Sequence, residues 1–189
     1  MKILIVNGSP RPLGNTSRLV TEAEKISKAY GYECDVVHLR KYKNLKHCVH
    51  CVYCTTQNKC IHKDDLEEVL LNIDNYDGII IASPIYFFTW NSLTKTFIDR
   101  LYSVDLQDKI LASICVSGSK GYDGGADIIL DQFQRISNYC GANFRGMVHK
   151  VTNDEILEVT GVDIDNIEEL ILRLNYLDYE TSSSIIRGL

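Results

Sequence analysis

Lys2–Ser17, KILIVNGSPRPLGNTS, is the stretch whose reading decides the fold. Ile3–Val6 is an apolar run of strand length, and it stops at Asn7-Gly8. A loop carrying Ser9, Arg11, Asn15, Thr16 and Ser17 follows, and a helical pattern begins behind it. Strand, hydroxyl-rich loop and helix N-terminus together form an anion site, because uncapped N–H groups and the positive end of the helix dipole converge on one point. The loop contains no Asp or Glu, and Arg11 adds a positive charge. The plainer alternative is an ordinary strand–turn–helix with a Ser or Thr cap.

Working outward, apolar residues recur at helical spacing over Leu19, Val20, Ala23, Ile26 and Tyr30. Cys34–Leu39 predicts a second strand, and Leu66, Val69, Leu70 and Ile73 a helix begun by Asp64 and Asp65. Gly78–Ala82 (GIIIA) is a continuous apolar run suited to a strand buried on both faces. A helix with Leu93, Phe97 and Leu101 inward follows, then a strand at Ile110–Val116 and a helix with Ile129, Phe133 and Ile136 on one face. A fifth strand is expected at Ala142–Val148. Thr152–Val162 has no clear pattern, and a last helix carries Ile164, Ile167, Leu170, Ile171 and Leu174. Alternating strands and helices predict a single α/β domain over residues 1–189, a three-layer sandwich around a five-stranded parallel sheet in the flavodoxin-like order 2-1-3-4-5.

The bulk properties agree. The chain has 189 residues, 45% hydrophobic and 24% charged, with a net charge of −5. That acidity argues against general nucleic-acid binding. No apolar run approaches membrane-spanning length, and the N-terminus has no secretion-signal pattern, so a cytoplasmic location is the expectation.

In an open parallel sheet, ligands bind beyond the strand carboxyl ends where the strand order reverses. Three polar loops are expected there: Gly8–Ser17, Ser83–Ser92 and Ser117–Gly125. The first lacks both the dinucleotide fingerprint and the ATP-loop Gly-Lys-Ser/Thr ending, and fits a compact monophosphate better. The second holds Tyr86, Phe87, Phe88 and Trp90, four aromatics in five positions. These rings either border a flat ligand, with backbone groups of Pro84–Phe87 on its polar edge, or belong to the core or a subunit contact. Phosphate tail plus aromatic ring describes FMN.

Four of the seven cysteines, Cys48, Cys51, Cys54 and Cys60, fall in one insertion at about 47–62 with C-x2-C-x2-C-x5-C spacing. A [4Fe–4S] cluster, structural zinc, a redox disulfide and a loop of free thiols are the four readings of that spacing. His47, His50 and His62 read as exposed loop residues. Cys34, Cys115 and Cys140 read as core, Asp99-Arg100 as a pair within or beside its own helix, and Asp163, Asp165, Glu168 and Glu169 as a solvated face.

GSPRPLGNTS followed by SPIYFFTWNSLTKTFIDRLY resembles the NAD(P)H-dependent FMN reductases of the flavodoxin-like superfamily. CVHCVYCTTQNKCIHKDD is similar to the iron–sulfur flavoproteins of anaerobic microbes. The resemblance covers roughly residues 1–148. It implies that Ser9, Arg11, Asn15, Thr16 and Ser17 hold the FMN phosphate. It implies further that Pro84, Ile85, Tyr86 and Phe87 line the isoalloxazine, and that Ser117, Gly118 and Gly121 close its other side. NAD(P)H would be the co-substrate, stacking in space shaped by Tyr86, Phe88, Trp90 and Tyr122, with Arg11, Lys120 or Arg100 favouring a phosphorylated nucleotide. The cysteines would ligate a [4Fe–4S] cluster, and the chain would form a homodimer or homotetramer passing electrons to a small-molecule or protein acceptor. Many relatives carry Gly immediately before the second cysteine, where this chain has His50. An FMN electron carrier without pyridine-nucleotide turnover and a non-catalytic flavodoxin-like binding protein are the alternative classes.

Overall fold

The strand β1 (Lys2–Asn7) lies one strand in from the edge of a parallel sheet, its side chains from Ile3 to Asn7 all buried. The computed structural model describes residues 1–153, 155–175 and 185–187, with backbone alone at 121, 122 and 185–187. Beside β1 run β2 (Glu33–His38) and β3 (Gly78–Tyr86), with Ile5 opposite both Val36 and Ile80. The sheet continues through β5 (Ile110–Ser117), β6 (Asn143–Val151) and β7 (Ile185–Arg187), giving the order β2-β1-β3-β5-β6-β7. The two-residue strand β4 (Thr89–Trp90) is only a hairpin return on the far end of β3. The expected five strands are β2, β1, β3, β5 and β6 in the expected order. The sixth, β7, pairs parallel to β6, opposite Met147–His149. It lies in a part of the chain with no legible strand pattern, which is why five strands were expected.

Alternation along these strands feeds two cores. Leu4, Val6, Ile79, Ile81 and Leu111 face one side and pack with Phe97 and Leu101, from and just after α4 (Ser92–Arg100), and with Ile129 and Phe133 of α5 (Ala126–Cys140). Ile3, Ile5, Ile80, Ala82 and Ile114 face the other, against α1 (Asn15–Ala29) and α6 (Gly161–Arg173). Each fully buried Leu, Ile or Phe contributes roughly 1.5–3 kcal/mol, so a two-sided sheet of this kind is held mainly by these contacts. Between β2 and β3 the α-helices are short, α2 (Cys54–Gln57) and α3 (Glu67–Leu71), with a single 3-10 turn at Leu39–Lys41 and another at Ile73–Asn75. The helix expected from Asp64 starts late because Asp65 and Asp64 spend their carboxylates on the backbone N–H groups of Lys43, Asn44 and Lys46. No helix among the described residues is long and apolar enough to cross a membrane.

Candidate functional site

At the carboxyl end of β1, Asn7 is fully buried and joins three segments. Its Nδ2 donates to Ser17 Oγ at 3.1 Å and meets His38 Nδ1 at 3.1 Å, and its Oδ1 accepts from the Ser9 N–H at 2.9 Å. His38 Nδ1 also accepts from Arg40 at 3.0 Å. Burial, then the charges of Arg40 and Lys41, pull its pKa down, so the ring stays neutral with the proton on Nε2. Gly8 follows, and its N–H donates to the Ala82 carbonyl at 2.8 Å while its own carbonyl accepts from Asn91 Nδ2 at 2.6 Å. A Cβ at Gly8 would lie 1.8 Å from Thr94 Oγ1, so only glycine lets the first and second loops close on each other.

Ser9, Thr16 and Ser17 are buried, while Arg11 is exposed. The hydroxyls of Ser9 and Ser17 both end on the Arg11 carbonyl, at 3.1 and 2.9 Å. Gly14 precedes α1 and supplies no side-chain cap, and the first turn contains no acidic residue. The Ser/Thr cap of the plainer reading is therefore not made. A fifteen-residue helix presents an uncapped, positively polarised N-terminus, a donor set that suits a phosphate, which the Ser9 and Ser17 hydroxyls join by turning from the Arg11 carbonyl. The Asn15 side chain turns elsewhere: Nδ2 donates to the Glu155 carbonyl and Oδ1 accepts from the Leu157 N–H at 2.9 Å.

The second loop is a hairpin. β3 overshoots the sheet, so that Ile85 pairs with Trp90 and Tyr86 with Thr89 across Phe87-Phe88. Both phenylalanines have positive φ, 49° and 68°, the mirror-image turn that Asn-Gly ordinarily serves. Left-handed backbone costs roughly 1–2 kcal/mol for each such residue. The turn holds Phe87 almost fully in solvent, 94% exposed, with Tyr86 and Phe88 partly exposed beside it. Trp90 points the other way, 3% exposed and packed on Phe133 with ring centroids 5.3 Å apart. It belongs to the core, because the hairpin return reverses its face. Pro84 is buried and Ile85 half-buried.

The third loop meets the second where Gly125, at φ 70°, passes Phe88; a Cβ there would lie 2.6 Å from the Phe88 backbone. Ser117 donates to the Ser119 carbonyl at 2.6 Å, so His149 Nε2, 2.7 Å away, is the donor in its bond to Ser117 Oγ. Burial pulls the His149 pKa down, which keeps that ring neutral. Gly118 is half-buried beside Ser117, Gly121 is described by its backbone, and the side chain of Tyr122 lies outside the described residues. A fourth wall was not legible in the sequence. The segment after β6 bonds Ser117 through Thr152 and bonds Asn15 through Glu155 and Leu157. It is anchored by Lys150, which donates to the Glu158 carbonyl and to Asp163, whose carboxylate also accepts from the N–H of Thr160, the residue that caps α6. Asp163 therefore serves a buried ion pair rather than a solvated face. Asn7, Asn91, Thr94 and His149 are the site residues missed. Asn91 alone carried a signal, as an Asn directly ahead of a helix.

The cysteine insertion sits against the end of α4. Cys48 and Cys51 are exposed and Cys54 and Cys60 half-buried, and all four line one cavity of about 50 Å³. They stand close enough that burial first, and then the other three sulfurs, push the Cys54 thiol up. No three potential metal ligands among the described residues are gathered tightly enough to form a metal site as they stand. His50 adopts φ 52°, a left-handed backbone conformation that glycine takes without strain. His47 and His50 are exposed as expected, but His62 is half-buried with a buried, unpartnered Nε2. Arg100 does not pair within its helix. It forms a bidentate bond with Asp64, while Asp99 pairs with Lys95. Cys115 is core, and Cys34 and Cys140 are half-buried at its margins.

A parallel α/β sheet with a phosphate-type loop and an aromatic hairpin at its switch point defines a nucleotide-binding protein of the flavodoxin-like kind. Residues 1–146 match the family described as NADPH-dependent FMN reductase, and the chain belongs to that family. It is 34% identical over 136 residues to an iron–sulfur flavoprotein of Methanocaldococcus jannaschii, covering 70% of this chain and 69% of that one. It is 28% identical over 165 residues to a Bacillus subtilis protein described as an NAD(P)H-dependent FMN-containing oxidoreductase, covering 78% and 83%. Among solved structures, the NAD(P)H:quinone oxidoreductase from Methanothermobacter marburgensis shares the fold, with a TM-score of 0.72 at 11% identity over 95% of this chain and 98% of that one. The chain is thus an FMN-dependent NAD(P)H oxidoreductase, which stands against the electron-carrier and non-catalytic classes.

Proposed function

We propose that the crevice binds FMN, accepts NAD(P)H as hydride donor, and delivers electrons to an acceptor through a [4Fe–4S] cluster on Cys48, Cys51, Cys54 and Cys60. The observation that carries the reading is the uncapped N-terminus of α1 beneath the buried Ser9, Thr16 and Ser17. Those hydroxyls, the Asn15–Ser17 N–H groups and the Arg11 charge hold the phosphate. Asn7 and Gly8 keep the loop closed while they do so. Bound FMN supplies hydride acceptance and release of electrons one at a time.

The protein's part is positioning. Pro84, Ile85, Tyr86 and Phe87 border the ring edge, and Ser117, Gly118 and Gly121, with Ser117 held by His149, close the opposite side. The Phe87-Phe88 turn keeps exposed aromatic surface at the mouth, where a nicotinamide ring would stack within reacting distance. Four thiols on one cavity fit a cluster in donor chemistry, and a cluster supplies one-electron relay. The free cysteines suit a reducing cytoplasm. The almost fully exposed Phe87 suits burial by a second copy in a homodimer or homotetramer.

The test is Ser9→Ala with Thr16→Ala. A hydrogen bond to a charged group is worth about 1.5–3 kcal/mol, so FMN affinity drops at least tenfold while the circular dichroism spectrum stays unchanged. Unchanged flavin affinity would place the phosphate elsewhere. Anaerobic purification with an absorbance spectrum and an iron and acid-labile sulfide assay tests the cluster. A flavin spectrum without iron removes it and spares the reductase.

A further inference from the structure

Arg100 is the largest fully buried side chain among the described residues, and its partner Asp64 is equally shut from solvent. Three of its five N–H groups are accounted for: Nη1 donates to Asp64 Oδ2 and to the Lys46 carbonyl, both at 2.8 Å, and Nη2 donates to Asp64 Oδ1 at 3.1 Å. Nε is buried and makes no hydrogen bond. Leaving a buried donor unmade is costly, and this one sits on a guanidinium whose position is otherwise over-determined. Arg100 lines the cavity that the four thiols share, and its guanidinium lies within interacting reach of the Cys60 sulfur. A second orphan, His62 Nε2, is buried at the same cavity. Two unpartnered buried nitrogens on residues that line one small cavity point to acceptors that arrive with its occupant.

Building on the cluster reading above, we propose that Arg100 is a positioning residue whose Nε–H donates a hydrogen bond to the sulfur at the Cys60 corner of the cluster. Cys48, Cys51 and Cys54 lie in one tight run, whereas Cys60 stands six residues beyond it and needs separate placement. Arg100 joins that corner to the Lys46 carbonyl on the incoming leg and to Asp64 just after the last cysteine. The Asp64–Arg100 pair is neutral as a unit, so its influence on the cluster comes from the directed N–H rather than from a free charge. Hydrogen bonds to cluster sulfurs stabilise the reduced, more negative state and raise the reduction potential. Lysine keeps a positive charge for Asp64 but offers no fixed second face.

The experiment uses the iron- and sulfide-loaded, FMN-bound protein. Wild type grown with guanidino-15N arginine is reduced and examined by pulsed electron paramagnetic resonance, and wild type and Arg100→Lys are compared by redox titration. The expected result is a 15N coupling on the cluster signal in wild type that Arg100→Lys lacks. Arg100→Lys should also shift the oxidised/reduced equilibrium about tenfold toward oxidised, about 59 mV for one electron, with the FMN potential unchanged. Absence of arginine coupling in loaded wild type overturns the proposal, even if Arg100→Lys fails to fold. So does an unchanged cluster potential in a folded Arg100→Lys. Wild type that takes up no iron and sulfide removes the cluster reading itself, and the proposal with it.

Discussion

Seven cysteines in one chain are chemically unequal, and burial sorts them. Burial pushes the Cys115 thiol up to about 12 and the Cys34 thiol to about 11, in the latter case with Glu24 adding to the effect. Neither forms appreciable thiolate near neutrality, so both behave as small apolar residues. Cys48 and Cys51 are exposed. Brief iodoacetamide treatment of iron-free native protein at pH 8 should therefore label Cys48 and Cys51 first and leave Cys115 unmodified until denaturant is added. Peptide mass mapping reads this directly, and early labelling of Cys115 would contradict the burial described. Position in a strand pattern was enough to foresee this for Cys115. The pairing of Arg100 with Asp64 was not foreseeable in the same way, because the partners are 36 residues apart and a nearer acid, Asp99, stood next in sequence.

Among the elements, the β3–β4 hairpin is where local preference and structure disagree most. Two phenylalanines occupy turn positions that want Asn-Gly, and one of them buries almost nothing in return. Replacing Phe87-Phe88 by Asn-Gly should raise stability by about 1–3 kcal/mol, since each left-handed residue costs roughly 1–2 kcal/mol. The same change should lower the rate of NAD(P)H oxidation, because it removes the aromatic mouth of the crevice. Urea midpoints and steady-state kinetics on one preparation test both halves; a variant that is neither more stable nor slower would show the turn to be unstrained and idle. The aromatic run was visible in the sequence, but its facing was not. Trp90 turned out to be core because a two-residue strand reverses direction, and no periodicity can be read over two residues.

For the whole molecule, acid stability follows from groups whose native pKa values are depressed. Burial lowers His149, and burial with Arg40 and Lys41 lowers His38. Unfolded histidine titrates near about 6.5. Below that pH the unfolded chain binds protons that the native protein does not, so stability falls as pH drops from about 6.5 toward the native values. A second loss begins below about 4, the ordinary carboxylate value. Burial raises Asp64 and Asp163, but the hydrogen bonds from Arg100 and Lys150 and from nearby N–H groups outweigh it and hold both low. Urea midpoints measured from pH 8 to 3 should show both stages, and His149→Gln should flatten the upper one. A flat profile from pH 7 to 5 would mean that these rings are not held neutral. At this scale the sheet order and its switch point were legible because apolar runs alternate with helical spacing through the strands from β1 to β6. The fourth wall of the crevice was not, because Thr152, Glu155, Leu157 and Glu158 are held by hydrogen bonds to Ser117, Asn15 and Lys150, which leave no periodic trace.

The bonds at Gly8 also order events in time. Its N–H waits for Ala82 and its carbonyl for Asn91, 83 positions later. A ribosome adding about 5–20 residues per second therefore leaves the first loop unfinished for seconds after its own residues have emerged. The segment made earliest in the site is among the latest to become competent. If the FMN phosphate sits on this loop, the flavin binds only once the third strand has docked, and its stabilisation falls on the native state.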